Sequence, residues 1–180
     1  MIEYKKLLEI PITISDKDTG YKKVIVLKTM QLPDGLVETF FIDHDKDSVQ
    51  ILPITTEDQV ITVIQYRVSI EKEQCELPGG GIDAGEDPIN AAERELREET
   101  GYTGRLMHVS SIPYSPYSTG VRHFYVAVDC TKTARGQNLD PGEFLSLKFW
   151  DMRAFRNEIS QGKIRGGSDA YMAFDKLGML

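Results

Sequence analysis

The stretch 76-ELPGGGIDAGEDPINAAERELREETGY-102 restricts what this chain can fold into more than any other part of it. Three consecutive glycines offer no side chains to pack, so Gly79, Gly80 and Gly81 read as a loop whose amides and carbonyls closely approach an ion or a phosphate. Pro88 suits the first turn of a helix, Asp87 the N-cap before it, and Gly101 the left-handed residue that ends it. The spacing predicts a helix from about Pro88 to Thr100. Ile89, Ala92 and Leu96 recur at helical intervals and are expected to face a core, which leaves Glu95, Glu98 and Glu99 on another face. Like charges at such intervals destabilise an isolated helix by about 0.2–0.5 kcal/mol per pair. Arg94 and Arg97 offset part of this; Mg²⁺ or Mn²⁺, which favours oxygen ligands, would offset the rest and give the cluster a use.

Around this helix the chain reads as β structure. Segments 7–14, 24–30 and 36–42 alternate or are β-branched, divided by turns at 16-DKDTG-20 and 33-PDG-35, and predict a small antiparallel sheet. The charged run 43-DHDKD-47 marks a boundary between an N-terminal sheet, 1–46, and a main domain, 47–180. The main domain opens with two buried-type strands at 49–54 and 60–66. After the helix come strands at 105–112, 121–128 and 144–150, then helices at 151–160 and 168–177 with Asp151 and Ser168 as expected N-caps.

Charge and cysteine usage narrow the function. Acidic residues outnumber basic ones 28 to 21, a net charge of −7, and no Lys/Arg run offers a track for a nucleic-acid backbone. An acidic protein can still hold a phosphorylated ligand through a bridging divalent cation. Cys75 and Cys130 form no C-x-x-C pair and are expected to be reduced and packed. No apolar run has the length of a signal core or a membrane span, so a cytoplasmic protein that touches no membrane is expected.

From Gly80 the residues Gly80, Glu86, Arg94, Glu95, Leu96, Glu98, Glu99, Gly101 and Tyr102 follow G-x5-E-x7-R-E-U-x-E-E-x-G-U, where U is bulky and apolar. This resembles the Nudix box, with an aromatic Tyr102 where an aliphatic residue is usual. The run 65-QYR-67, the lead-in 76-ELPGG-80, Pro116 and the β-rich N-terminal extension are similar to the branch that hydrolyses ADP-ribose and related nucleoside diphosphate sugars. The fold this implies is an α/β Nudix-type α/β/α sandwich with a mixed sheet, preceded by the small antiparallel sheet. In that branch the extension commonly exchanges between two subunits, which implies a homodimer.

The resemblance also implies roles. Glu95 and Glu99 match the carboxylates that hold metal most directly, Glu98 shares or replaces one of them, and the Gly79 carbonyl matches a backbone ligand. Glu86 and Arg94 match the pair that braces the loop against the helix. Arg67, at the end of a strand, is expected to grip a diphosphate, and Glu76 to meet a ribose or base edge. Glu143 stands where the branch carries a glutamate that activates water, with Asp140 as competitor and Glu98 as the box residue that would otherwise take the role. Pro116 and Phe40 are further substrate contacts; Phe41, Tyr21 and Lys28 are alternatives to Phe40, because residues 1–66 contain no arginine. His44, His108 and His123 lack metal-ligand spacing and are expected to be structural, and Glu93 and Arg97 to be solvated. The implied function is Mg²⁺-dependent hydrolysis of a nucleoside diphosphate sugar, ADP-ribose foremost. GDP-mannose, another nucleotide, or a non-hydrolytic nucleotide sensor are the alternatives, and the intact carboxylates weigh against the sensor.

Overall fold

The computed structural model describes residues 3–15, 17 and 22–179. Two compact units form, one from the residues up to Asp47 with Ile112–Val121, the other from Ser48–Ser111 and the chain from Arg122 onward.

In the first unit, strands β1 (Lys5–Ser15), β2 (Lys22–Gln31) and β3 (Val37–Asp43) pair antiparallel in that order. The turn at 33–35 closes as its residues dictate: Gly35 takes φ +89° and Asp34 Oδ1 accepts from the Leu36 N–H at 3.0 Å. The expected turn at 16–20 lies, except for Lys17, outside the described residues, as does Tyr21. Segment 112–121 runs along β3, with the Asp43 N–H donating to Tyr117 O at 2.8 Å and the Thr119 N–H to Asp43 O at 2.9 Å. Every residue of β1 is exposed, including Leu8, Ile10, Ile12 and Ile14.

The second unit is built on a seven-stranded mixed sheet. Its members are β4 (Ser48–Thr55), β5 (Gln59–Arg67), β6 (Lys72–Glu76), β7 (Tyr102–Pro113), β8 (Val121–Lys132), β9 (Leu145–Asp151) and β10 (Ile164–Arg165). The order is β10-β6-β5-β4-β8-β7, with β9 also pairing antiparallel with β5. β4 and β8 are parallel neighbours. Both are apolar on both faces because both faces are covered. Val49, Ile51, Tyr125 and Ala127 pack on helix α1 (Pro88–Glu95) and Leu96. Leu52, Ile54, Phe124 and Val126 pack on helices α2 (Met152–Ser160) and α3 (Gly167–Lys176) through Phe155, Ile159, Ala173 and Phe174. The result is the α/β/α sandwich that the resemblance implies.

Three expectations are corrected. Ile89 is 44 % exposed; the buried face of α1 is Ala91 and Ala92, small enough to let the helix lie close on β4, followed by Leu96. The N-cap of α3 is Gly166, at φ +84°, and Ser168 already lies within the first turn. β6 and β10 were not expected: β10 is too short to show a period, and β6, KEQCE, is too polar to read as a strand. The Asp151 cap holds, its Oδ1 accepting from the Ala154 N–H at 2.8 Å, and Cys75 and Cys130 are free thiols.

Candidate active site

The helix starts at Pro88 as the sequence predicts, but after Glu95 it widens into a π turn, Leu96–Thr100, that Gly101 closes at φ +73°. A π turn leaves carbonyls off the α ladder, and here the loop after β8 meets them. The Gln137 side chain donates to Glu99 O at 2.7 Å, the Asn138 N–H to Glu98 O at 2.9 Å, and the Thr133 N–H to Gly101 O at 2.8 Å. A Cβ on Gly101 would come within 2.6 Å of Gly136 C, so this approach also requires a glycine. The widened turn carries Glu98 and Glu99, and the loop that caps it leads to Glu143.

Arg94 organises the exposed side of the cluster. Its guanidinium reaches Glu86 (3.0 Å), Glu95 (2.6 Å), Glu98 (3.3 Å) and the carbonyl of Gly81 (2.9 Å). The expected brace between Glu86 and Arg94 is therefore formed, and it extends to two further carboxylates. Glu93 and Arg97 are exposed, as the spacing predicts.

Glu99 points the other way. It is 5 % exposed, and its Oε2 accepts from the Gly79 N–H at 2.8 Å. The glycine loop is positioned by β4: the Ile51 N–H donates to Pro78 O and the Val49 N–H to Gly80 O, both at 2.9 Å, which turns the Gly79 amide toward the helix. Gly79 sits at φ +152° with Val49 O only 2.2 Å from where a Cβ would be; a Cβ on Gly80 would meet Glu95 Oε1 at 2.4 Å. Burial pushes the Glu99 carboxyl up to about 8 against the hydrogen bond from Gly79, and the charges of Glu95 and Glu143 add to it. Burial also raises Glu95, against its bond to Arg94.

Glu143 is half-buried, and its charge bears on Arg67, Glu95 and Glu99; Asp140 is exposed. Arg67 and Glu76 meet each other. Arg67 Nε and Nη2 donate to the two oxygens of Glu76 at 2.6 Å each, and Arg165 Nη1 donates to Glu76 Oε2 at 2.9 Å. Glu76 is 2 % exposed, with both its oxygens taken by arginines. Arg165 escaped the sequence reading because only the β6–β10 pairing brings it beside Glu76. Phe40 and Pro116 belong to the first unit, where Phe40 stacks on Tyr117 at 6.5 Å. His108 and His123 both bond to Ser111 at 2.9 Å, and His44 Nδ1 lies 3.2 Å from Thr119 Oγ1, contacts that suit structural roles.

Among the described residues no three His, Cys, Asp or Glu side chains stand in a metal-holding group. Arg94 draws Glu86, Glu95 and Glu98 onto itself. The donor set nonetheless fits a hard divalent cation. Glu95 and Glu99 are carboxylates made harder to ionise by burial, Glu99 also by the charge of Glu95, and a cation shared between them would reverse that.

Comparison with known proteins agrees with this geometry. The family described as NUDIX domain matches residues 44–166. A methanol dehydrogenase activator of Bacillus methanolicus is 37 % identical over 139 residues, and an ADP-ribose pyrophosphatase of Bacillus subtilis 32 % identical over 139; each alignment covers 75 % of both chains. An ADP-ribose pyrophosphatase of Saccharomyces cerevisiae is 39 % identical over 70 % of this chain and 59 % of its own. A crystal structure of an ADP compounds hydrolase shares the fold, with a TM-score of 0.78 at 20 % identity over 98 % of this chain and 97 % of the other. The box residues thus stand on a Nudix scaffold across most of the chain, and this protein belongs to the Nudix family as a pyrophosphohydrolase, in the branch that includes those ADP-ribose pyrophosphatases.

Proposed function

We propose that the chain hydrolyses the pyrophosphate bond of a nucleoside diphosphate sugar, with ADP-ribose giving AMP and ribose 5-phosphate. The observation that carries the reading is the burial of Glu99, with Glu95 partly buried beside it, against a loop in which Gly79 admits no side chain. Two desolvated carboxylates with Glu143 beside them are costly unless a cation joins them, and Nudix hydrolases generally use divalent metal ions. Mg²⁺, with Mn²⁺ as substitute, would supply charge neutralisation of the diphosphate and a water of lowered pKa.

The chain's own residues do the rest. Glu95, Glu98 and Glu99, with the Gly79 carbonyl, would hold the cation. Arg94 keeps Glu95 and Glu98 aligned on one side, while the Gly79 N–H fixes Glu99 on the other. Arg67 keeps one edge on Glu76 and offers its far edge, Nη1, to a phosphate. Glu143 takes the proton of the attacking water as the bridging P–O bond breaks. Phe40 and Pro116 serve the nucleotide, and the working unit is a homodimer formed through the N-terminal sheet, whose first strand leaves Leu8, Ile10, Ile12 and Ile14 uncovered.

The test is a panel of nucleoside diphosphate sugars, triphosphates and dinucleoside polyphosphates, with product identified by chromatography with and without Mg²⁺. ADP-ribose should be cleaved to AMP in Mg²⁺ and spared in EDTA. Faster cleavage of GDP-mannose or of a triphosphate would reassign the substrate, and binding without turnover would point to a sensor.

A further inference from the structure

Glu76 is a buried carboxylate shared by two arginines that come from opposite ends of the chain's order. Arg67 ends β5 and Arg165 ends β10, and the two strands flank β6, where Arg165 stands in register with Glu76. The Leu77 N–H donates to Arg165 O at 3.2 Å, so the backbone of β10 is tied to the residue next to Glu76. The side chains of Arg67 and Arg165 are 37 % and 55 % exposed against 3 % for that of Glu76. Burial alone would push the Glu76 carboxyl up, but the bonds and charges of the two arginines hold it below the ordinary carboxylate range.

The charge count follows. Arg67 and Glu76 alone form a neutral pair that spends two of Arg67's donors on a neighbour. Arg165 makes the group two cations on one anion, a net +1, and it stands beside a cluster of carboxylates whose charges bear on Arg67. A diphosphate drawn to Arg67 would otherwise meet a neutral pair backed by Glu99 and Glu143.

We propose that Arg165 is a positioning residue for diphosphate binding: by covering the charge of Glu76 it leaves the charge of Arg67 to the substrate and keeps the Arg67 fork fixed in place. This rests on the reading of Arg67 as the phosphate contact. The role belongs to Arg165 through its charge, so lysine should replace it in large part and glutamine should not.

The experiment compares the parent, Arg165→Gln and Arg165→Lys in Mg²⁺, reading steady-state hydrolysis of ADP-ribose and calorimetric binding of ADP. The Gln variant should raise KM and the ADP Kd about tenfold while kcat stays within about threefold, and the Lys variant should stay within about threefold of the parent in all three. The parent's KM should also rise more steeply with salt than that of the Gln variant, an effect that a merely structural role would not produce. An unchanged KM in the Gln variant, or a Lys variant as weak as Gln, overturns the role of Arg165 while leaving the enzymatic reading intact. If the parent cleaves no nucleotide sugar but binds ADP, and Gln weakens that binding, the enzymatic reading fails and the role stands. A parent that does not bind ADP overturns both. Should the Gln variant not fold, the Lys variant and the parent's salt dependence decide: a tenfold rise in KM on Lys, or a parent KM indifferent to salt, refutes the proposal.

Discussion

Replacing Glu99 by Gln should make the metal-free protein more stable and the enzyme nearly inactive, two effects of opposite sign from one carboxyl. Glu99 is 5 % exposed, and its carboxyl is carried from an ordinary 4.5 up to about 8 chiefly by burial. The folded chain thus holds this proton more tightly than the unfolded chain does. The stabilisation this gives is complete below pH 4.5, is lost as the pH rises to about 8, and does not change beyond. At pH 9 the ionised group costs at most about 5 kcal/mol, taking about 1.4 kcal/mol for each pH unit between the two values. Glutamine keeps an oxygen for the Gly79 N–H and carries no charge, so recovery of at least about 2 kcal/mol is expected, or about 4 °C or more in Tm for a chain of this size. The assay is thermal unfolding in EDTA from pH 5 to 9, repeated with Mg²⁺, alongside turnover. The gain should shrink steadily as the pH falls toward 5, Mg²⁺ should raise the Tm of the parent but little that of the variant, and kcat should drop at least about 10²-fold. A variant no more stable than its parent at pH 9, or one with near-normal turnover in saturating Mg²⁺, would refute the reasoning.

Gly79→Ala should cost at least about 2 kcal/mol in urea unfolding, because a Cβ would lie 2.2 Å from Val49 O on a backbone at φ +152°; a loss under about 0.5 kcal/mol would mean that the loop has slack. Glu143→Gln should lower kcat at least about tenfold with little change in KM, and Asp140→Asn should stay within about twofold, as half-burial of the first and exposure of the second suggest; the reverse ranking in steady-state assays would move the base to Asp140. A chain starting at Asp47 should lose dimerisation in light scattering and raise KM for the nucleotide, whereas a monomeric full-length protein would show that the exposed face of β1 does not pair subunits.

Much of the main unit was legible because its signals are local. The box fixes both ends of its helix through Pro88 and Gly101, and β4 and β5 announce their burial by largely apolar runs. The π turn was not legible, and neither were the contacts of a loop some forty residues later that cap Glu98 and Glu99. Ile89 misled because a proper helical interval says nothing of where the sheet beneath the helix stops. At the site, Arg94 and Glu86 were read correctly as partners, but the pairing of Arg67 with Glu76 needs the β5–β6 hairpin, and Arg165 needs a two-residue strand with no pattern of its own.

The tie between the glycine loop and β4 also divides the site by how fast its walls can open. Amides of Val49 and Ile51 donate to Gly80 and Pro78 from a central strand covered on both faces, so their exchange with deuterium should require the whole unit to unfold. The Asn138 amide, bonded to Glu98 from a largely exposed loop, needs only a local opening. One wall is therefore preorganised on the timescale of global unfolding, and the wall that leads to Glu143 can breathe in the native state. Product escape would be gated from that side, by a loop that can let go of the helix while the glycines remain where β4 holds them.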